Sequence, residues 1–476
     1  MRRCSAGGGT EGDTAMKPIT IRDVLTATGG RLLEGCPDLD REITGVSTDS
    51  RTVRPGDLFI PLSGARFDGH AFIADALEKG AAACLTVRSR ERYSGEKSYV
   101  MVKNAQTALR DLAAWHRRRF PIPCIAVTGS VGKTTCKDMV AATLGTRYRV
   151  LKTEGNFNNE IGLPLTLLRL DDDHEMIVLE MGMSDFGEIA YLAAIAEPDA
   201  AIVTNIGDAH IESLGSRENI LKAKSEIFNY LRPDGTVLLN GDDPLLRPLK
   251  DTLPFTVLTC GTDPESDYYA TDLESDGVQT LRCTVHMPDA LLNVQVGALG
   301  SHMVYPILFA AAVGRKFGLS RSELAKGIAD FSPTKMRMNI LHRQKKITIL
   351  DDGYNANPQS MRAALEVLAG ARGKKKIAVL GDMLELGALA PALHEGVGRY
   401  VATADIDVLV TVGEQARHIA AGAGGGRTEI HACQTRDEAK KLLEPMVEPE
   451  TTVLVKASRG MTFEDITSFL LDITEE

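Results

Sequence analysis

Short apolar runs bounded by turn residues recur along the chain, and stretches of helical periodicity lie between them. The runs at 124–128, 176–179, 201–205 and 236–240 read as buried strands separated by helical patterns. That alternation predicts a mainly parallel, helix-covered sheet. A second series at 347–350, 377–380, 408–412 and 453–455 predicts a Rossmann-like, doubly wound unit. Ahead of both, residues 19–103 read as a small mixed α/β unit. In it a turn at 53–57 leads into the strand Leu58-Phe59-Ile60, and a helix over 72–79 closes at Gly80. Residues 256–296 read as less regular β structure, an insertion. Thr435 with Glu438 has capping-box spacing, and Asn357-Pro358 reads as a cap followed by an N1 proline.

Punctuation divides the chain. A basic helix over 107–120 runs into Pro121-Ile122-Pro123, and Ser332-Pro333 opens the last unit. The expected organisation is a Gly-rich flexible extension at 1–15, then α/β domains at 16–106, 107–331 and 332–476. A length of 476 residues accommodates about three such domains.

Composition narrows the function. A net charge of -10 excludes a general nucleic-acid binder, which needs a basic stripe. Eight scattered cysteines form no Cys-x-x-Cys pair, which argues against a zinc ribbon or a disulfide framework and for a reducing cytoplasm. No apolar run reaches the ~18 residues of a membrane-spanning helix.

The chemistry gathers at strand ends. Thr128-Gly129-Ser130-Val131-Gly132-Lys133-Thr134-Thr135 follows one strand and opens a helix. Glycines there turn backbone N–H groups onto phosphate oxygens, Lys133 reaches the β/γ-phosphates and Thr134 a Mg²⁺. The strict phosphate-loop pattern asks for glycine at 127, where Val127 stands; the bland alternative is an ordinary strand–turn–helix junction. Glu180 ends the next strand, placed as a metal ligand or as a solvated carboxylate. His210, after a third strand, is a metal-ligand candidate or a solvated loop histidine. Over 216–230, Glu218, Lys222 and Glu226 share a charged face, whereas Lys224 shares a stripe with Leu221, Phe228 and Leu231. An inward lysine snorkels, pairs or is modified. In the last unit, Arg337, the run Asp351-Asp352-Gly353-Tyr354-Asn355-Ala356-Asn357-Pro358, Gly381-Asp382-Met383 and Lys456-Ala457-Ser458-Arg459 repeat the pattern. They read as ligand contacts in a cleft, or as turns rich in Asp and Asn. No GxGxxG follows the unit's first strand, so a dinucleotide is unsupported.

Taken together these residues resemble the Mur ligases of peptidoglycan synthesis, over nearly the whole chain from Met16. Ser47-Thr48-Asp49-Ser50-Arg51, Phe67-Asp68-Gly69-His70, the 128–134 loop, Asn156-Phe157-Asn158-Asn159, Glu180-Met181-Gly182 and the 223–228 run carry the likeness. The segments 351–358, 381–387 and 456–460 resemble the member that adds D-alanyl-D-alanine. The resemblance implies an ATP- and Mg²⁺-dependent, cytoplasmic, monomeric ligase that joins this dipeptide to UDP-N-acetylmuramoyl-tripeptide, without nucleic acid or membrane insertion. It assigns catalysis to Lys133, Lys224 and His210. Metal ligation falls to Thr134, Glu180, His210 and a carbamylated Lys224, and ATP contacts to the 128–135 loop, His302, Arg337 and Asp352. Substrate contacts fall to Ser47, Thr48, Asp49, Ser50, Arg51, Gly69, His70, Asn156, Asn158, Asn159, Tyr354, Asn355, Asn357, Asp382, Lys456, Ser458 and Arg459. One departure stands out: relatives often carry asparagines where this chain has Met303 and Pro306, so adenine recognition there differs, and the proline predicts a shifted helix start. Another amino-acid ligase of the superfamily, such as a folylpolyglutamate synthase, and a nucleotide-binding switch without ligase chemistry are the alternatives.

Overall fold

The computed structural model describes residues 16–33, 38–64, 67–88, 97–275 and 280–475. The extension at 1–15, with Cys4, and Cys36 lie outside them. Two compact units form: residues up to Pro123 with 153–177 and 194–197, and 124–152 with 178–193 and the chain from Pro198 onward.

The first unit holds a five-stranded sheet in the order Arg31–Leu32, Ser98–Met101, Ala83–Thr86, Asp57–Phe59 and Gly45–Ser47. All its pairs are parallel except the antiparallel edge strand Arg31–Leu32. Its helix Ala105–Arg118 is capped by the Asn104 side chain and packs on helices Ile21–Thr28 and Gly162–Leu167. Arg117 of that helix is buried, and its guanidinium donates to the carbonyls of Phe120, Ile122 and Ala196. A buried cation is tolerated when its donors find acceptors. The basic helix therefore belongs to the first unit, which closes at Pro123.

The second unit contains both long strand series. The first lies in a nine-stranded sheet, with Cys124–Thr128 beside Ala200–Val203, then Thr236–Asn240 and Thr256–Gly261, all parallel. The stretch 256–296 is no irregular insertion. Its strands Thr256–Gly261 and Tyr268–Ser275 extend the parallel run, and Leu281–Met287 and Ala290–Val296 close the sheet edge antiparallel. The second series forms a six-stranded sheet in the order Asn339–His342, Thr348–Asp351, Thr451–Lys456, Lys375–Gly381, Val408–Val412 and Glu429–Cys433. All its pairs are parallel but the first. Its central strands are buried apart from Lys375 and Lys376 at the start of one, as a sheet covered on both faces requires. The edge strands Asn339–His342 and Glu429–Cys433 are only partly buried, and so lack the apolar runs that would mark them in the sequence. Thr451–Lys456 returns between Thr348–Asp351 and Lys375–Gly381, which sets Asp351, Lys456 and Gly381 side by side at one sheet edge. No helix among the described residues is long and apolar enough to cross a membrane.

Candidate active site

The turn after Cys124–Thr128 is held by sterics and by its neighbours. Gly129 sits at φ 147, and a Cβ there would stand 1.9 Å from Thr204 Oγ1. Gly132 caps helix Lys133–Leu144 at φ 79. Both conformations favour glycine. Asn205 braces the loop: its Oδ1 accepts from Val131 N–H at 2.9 Å, its carbonyl accepts from Ser130 N–H, and its Nδ2 donates to Val131 O at 3.0 Å. Thr204 Oγ1 donates to the same carbonyl, and Gly207 N–H donates to Ser130 Oγ at 2.8 Å. No side chain caps this helix, so its first N–H groups and positive dipole end are left for an anion. The Lys133 ammonium folds back over the loop, donating to Gly129 O at 2.8 Å and Ser130 O at 3.3 Å. Val127 is a fully buried strand residue, so the departure from the strict pattern lies outside the turn itself.

Behind the loop, Thr134 Oγ1 donates to Glu180 Oε2 at 2.8 Å, both side chains being buried. Burial pushes the Lys133 amine down; the Glu180 carboxylate opposes that shift, and the Arg337 cation adds to it. Lys224 is 1% exposed, and its side-chain amine makes no hydrogen bond or ion pair with any described residue. Its amine is driven well below the usual lysine range, first by burial and then by the Lys133 cation. The inward stripe read from the sequence is therefore real. Its charged face is only partly so: Glu218 and Lys222 are exposed, but Glu226 accepts the N–H groups of Gly187 and Ala190 at the start of helix Glu188–Ala196. His210 contacts Glu385 Oε2 through Nδ1 at 2.7 Å, and that hydrogen bond lowers the Glu385 carboxyl.

Among the described residues no three His, Cys, Asp or Glu side chains assemble into a metal cage. Thr134 and Glu180 still offer two hard oxygens beside the phosphate loop. That donor set suits Mg²⁺, which takes one or two protein oxygens and completes its shell with phosphate and water.

At the six-stranded sheet, Lys456 is buried and its ammonium donates to Asp352 Oδ2 and to Asn355 O at 3.0 Å. Asp352 Oδ1 also accepts from Met338 N–H at 3.0 Å. Arg337 lies on the face of Tyr354 at 4.0 Å, with Arg459 at 6.0 Å from the same ring. Ser458 Oγ accepts from Leu384 N–H at 2.9 Å, and Asp382 Oδ1 from Ala416 N–H at 2.7 Å. Asn357 caps helix Pro358–Gly370 through Ser360, as its sequence position implied. His302 precedes helix Val304–Lys316, and its Nδ1 is buried without a partner. Met303 and Pro306 are buried, and the proline sits in the helix's first turn, where a missing N–H leaves no bond unmade.

In the first unit, Asp49 accepts from the backbone and guanidinium of Arg51, which bring its carboxyl down to about 2. Ser47 Oγ donates to Asp49 O at 2.9 Å, Ser50 O accepts from Lys79, and Thr48 is half-buried. Gly69 passes so close to Leu62 that a Cβ would stand 2.4 Å from its carbonyl oxygen. The His70 ring is buried with both nitrogens engaged, Nδ1 on Asp68 and Nε2 accepting from Val87 N–H. Its side chain is bound into the fold. Asn156 is exposed, Asn158 is half-buried, and Asn159 Oδ1 accepts from Gly162 N–H at the helix start. Thr204, Asn205 and Glu385 are the site groups that the sequence reading left without a role. The signal for the first two was polar residues closing an apolar strand; Glu385 had none, because its partner is 175 positions away.

Three family descriptions match the chain: Mur ligase family, catalytic domain over 42–122; Mur ligase middle domain over 127–314; and Mur ligase, glutamate ligase domain over 336–459. A Bacillus subtilis (strain 168) protein named UDP-N-acetylmuramoyl-tripeptide–D-alanyl-D-alanine ligase is 40% identical, over 95% of this chain and 98% of its own. The crystal structure of MurF from Acinetobacter baumannii superposes with a TM-score of 0.89 at 32% identity, covering 97% of this chain and all of that one. MurF ligase from Thermotoga maritima in complex with ADP gives 0.80 at 30% identity, covering 90% and 97%.

Proposed function

The chain belongs to the Mur ligase family, and from that premise we propose that it joins D-alanyl-D-alanine to UDP-N-acetylmuramoyl-tripeptide, an ATP-dependent amide ligation in peptidoglycan precursor synthesis. The observation that carries this is the glycine turn with Lys133 folded over it and the Thr134–Glu180 pair behind it. The dipeptide and tripeptide come from the relatives' names. We assign the UDP substrate to 16–106 together with the rest of helix Ala105–Arg118, which packs in the same unit, ATP to the rest of 107–331 and the dipeptide side to 332–476. We take the working unit to be one chain. Six buried cysteines with no disulfide assigned among the described residues favour the cytoplasm.

A carboxylate is a poor electrophile and must be activated. The tripeptide carboxylate takes the γ-phosphoryl group and ADP leaves. The dipeptide amine then attacks the acyl carbon, and inorganic phosphate departs. Lys133 and the helix N–H groups offset the negative charge on the transferring group. Thr134 and Glu180 would hold Mg²⁺, which would supply neutralisation of phosphate charge. Lys224, where burial favours the neutral amine, is assigned CO₂ addition: from that form an N–C bond forms, a proton leaves to water, and an anionic oxygen ligand results. Arg337 and Asp352 serve the nucleotide, and Tyr354, Asn355, Asp382, Lys456, Ser458 and Arg459 shape the acceptor side, by contact or by supporting the loops that make it. In the first unit, Ser47 to Arg51, Gly69 and the Asn156 loop are assigned to the UDP substrate, with His70 acting through its backbone.

The test is mass detection of UDP-muramoyl-pentapeptide from the tripeptide, ATP, Mg²⁺ and D-Ala-D-Ala. ADP release should require both acceptor and dipeptide. Release that needs neither, with no new amide product, would reject the reading, and product with another amine alone would reassign the substrate.

A further inference from the structure

Loops from the two large sheets meet at a histidine. His210 follows strand Ala200–Val203 and Glu385 follows strand Lys375–Gly381, and His210 Nδ1 lies 2.7 Å from Glu385 Oε2. Both residues hold left-handed backbone, at φ 63 and φ 61, which residues bearing a β-carbon seldom adopt unless their surroundings impose it. Two close approaches flank the pair. A Cβ at Gly207 would stand 1.6 Å from Gln359 Oε1, and one at Gly387 would stand 3.1 Å from Glu212 Cγ. The contact is thus built from both sides.

Stability does not explain it. The Glu385 side chain is 61% exposed, and ion pairs so open to water add little to folding. Orientation does. A carboxylate only accepts, so Nδ1 carries a proton, and in the neutral ring that leaves the lone pair on Nε2. No described residue engages Nε2. We infer that Glu385 is a positioning residue: by holding Nδ1–H it presents the Nε2 lone pair of His210 to the site, and does so only while the loops of the two sheets touch. His210 becomes competent when the six-stranded sheet's loop arrives, which couples assembly of the site to closure. This rests on reading His210 as a member of the site.

The experiment uses full-length wild type, Glu385→Gln and Glu385→Ala, each labelled with ¹⁵N-histidine. The chain has ten histidines, and His210→Asn identifies the signal. Long-range ¹H–¹⁵N spectra of the ligand-free protein should show an Nε2 lone pair in wild type and in Glu385→Gln, whose amide oxygen still accepts. Glu385→Ala should give a tautomer mixture. In ligation, Glu385→Ala should lose roughly 10- to 100-fold in kcat, with KM for ATP and melting temperature (within about 2 °C) unchanged, and Glu385→Gln should recover most of the rate. An unchanged tautomer in Glu385→Ala overturns the inference, as does unchanged kcat. Wild type that makes no pentapeptide would sink the ligase reading instead, and the spectra would still report on the contact.

Discussion

Two lysines in the second unit are almost equally buried and meet opposite fates. Lys456, 2% exposed, ends a central strand of the six-stranded sheet, and its ammonium is met by Asp352 and the Asn355 carbonyl. Lys224, 1% exposed, lies on a helix beside the phosphate loop with no such partner, and a second cation, Lys133, faces it. Burial disfavours a charge in both places. In one the protein supplies a counter-charge; in the other it supplies a further cation, which like burial favours the neutral amine. A paired buried lysine braces a loop, whereas an unpaired one is a reactive group.

The sharpest way to press this contrast is through the charge that Lys224 faces. Lys133→Ala is expected to lower ligation by about 10³-fold, measured as phosphate release, because nothing else named here reaches over the loop. Wild-type turnover in this variant would remove the phosphate loop from the mechanism. Next, Lys456→Met strands a mostly buried carboxylate and should cost about 3–5 kcal/mol in denaturant unfolding. Lys456→Met with Asp352→Leu should recover all but about 1 kcal/mol, the residue of the orphaned Met338 N–H. If the double variant is no better than the single, the pair is not what Lys456 is for.

Lys224 should behave in the reverse sense. Its folded pKa is depressed below the 10.5 of the unfolded chain, so below 10.5 the unfolded state binds a proton the folded state refuses. Wild type should gain about 1.4 kcal/mol over Lys224→Met for each pH unit of rise between the lowered pKa and 10.5, read from unfolding curves in CO₂-free buffer. Parallel curves would show that Lys224 is charged and paired after all. Smallest in energy is the rescue: Lys224→Ala should lose ligation and regain a fraction of it with a small carboxylic acid, and indifference to the substitution would end the carbamate assignment.

The phosphate loop was legible because all its parts are contiguous: a buried strand, two glycines at turns, a lysine and a threonine within seven residues. The inward face of Lys224 was legible from 3.6-residue periodicity alone. Glu226 misled because it shares a spacing with Glu218 and Lys222, yet caps a helix 36 residues away. That both ring nitrogens of His70 are engaged by Asp68 and Val87 could not be read from its motif, because Val87 lies 17 positions on. The edge strands Asn339–His342 and Glu429–Cys433 escaped notice because partial burial leaves no apolar signature.

By itself the sequence determined what depends on neighbours along the chain: strand and helix periods, the glycines of the turn, the helix caps, and the family motifs strung on them. Only the tertiary structure decided the pairings: Lys456 with Asp352, His210 with Glu385, Asn205 with Val131, and the Lys224 amine with none of the described residues. Periodicity reports which way a side chain points. Whether a buried charge keeps its proton depends on what the rest of the fold places opposite it, and that is set by contacts between residues far apart in the chain.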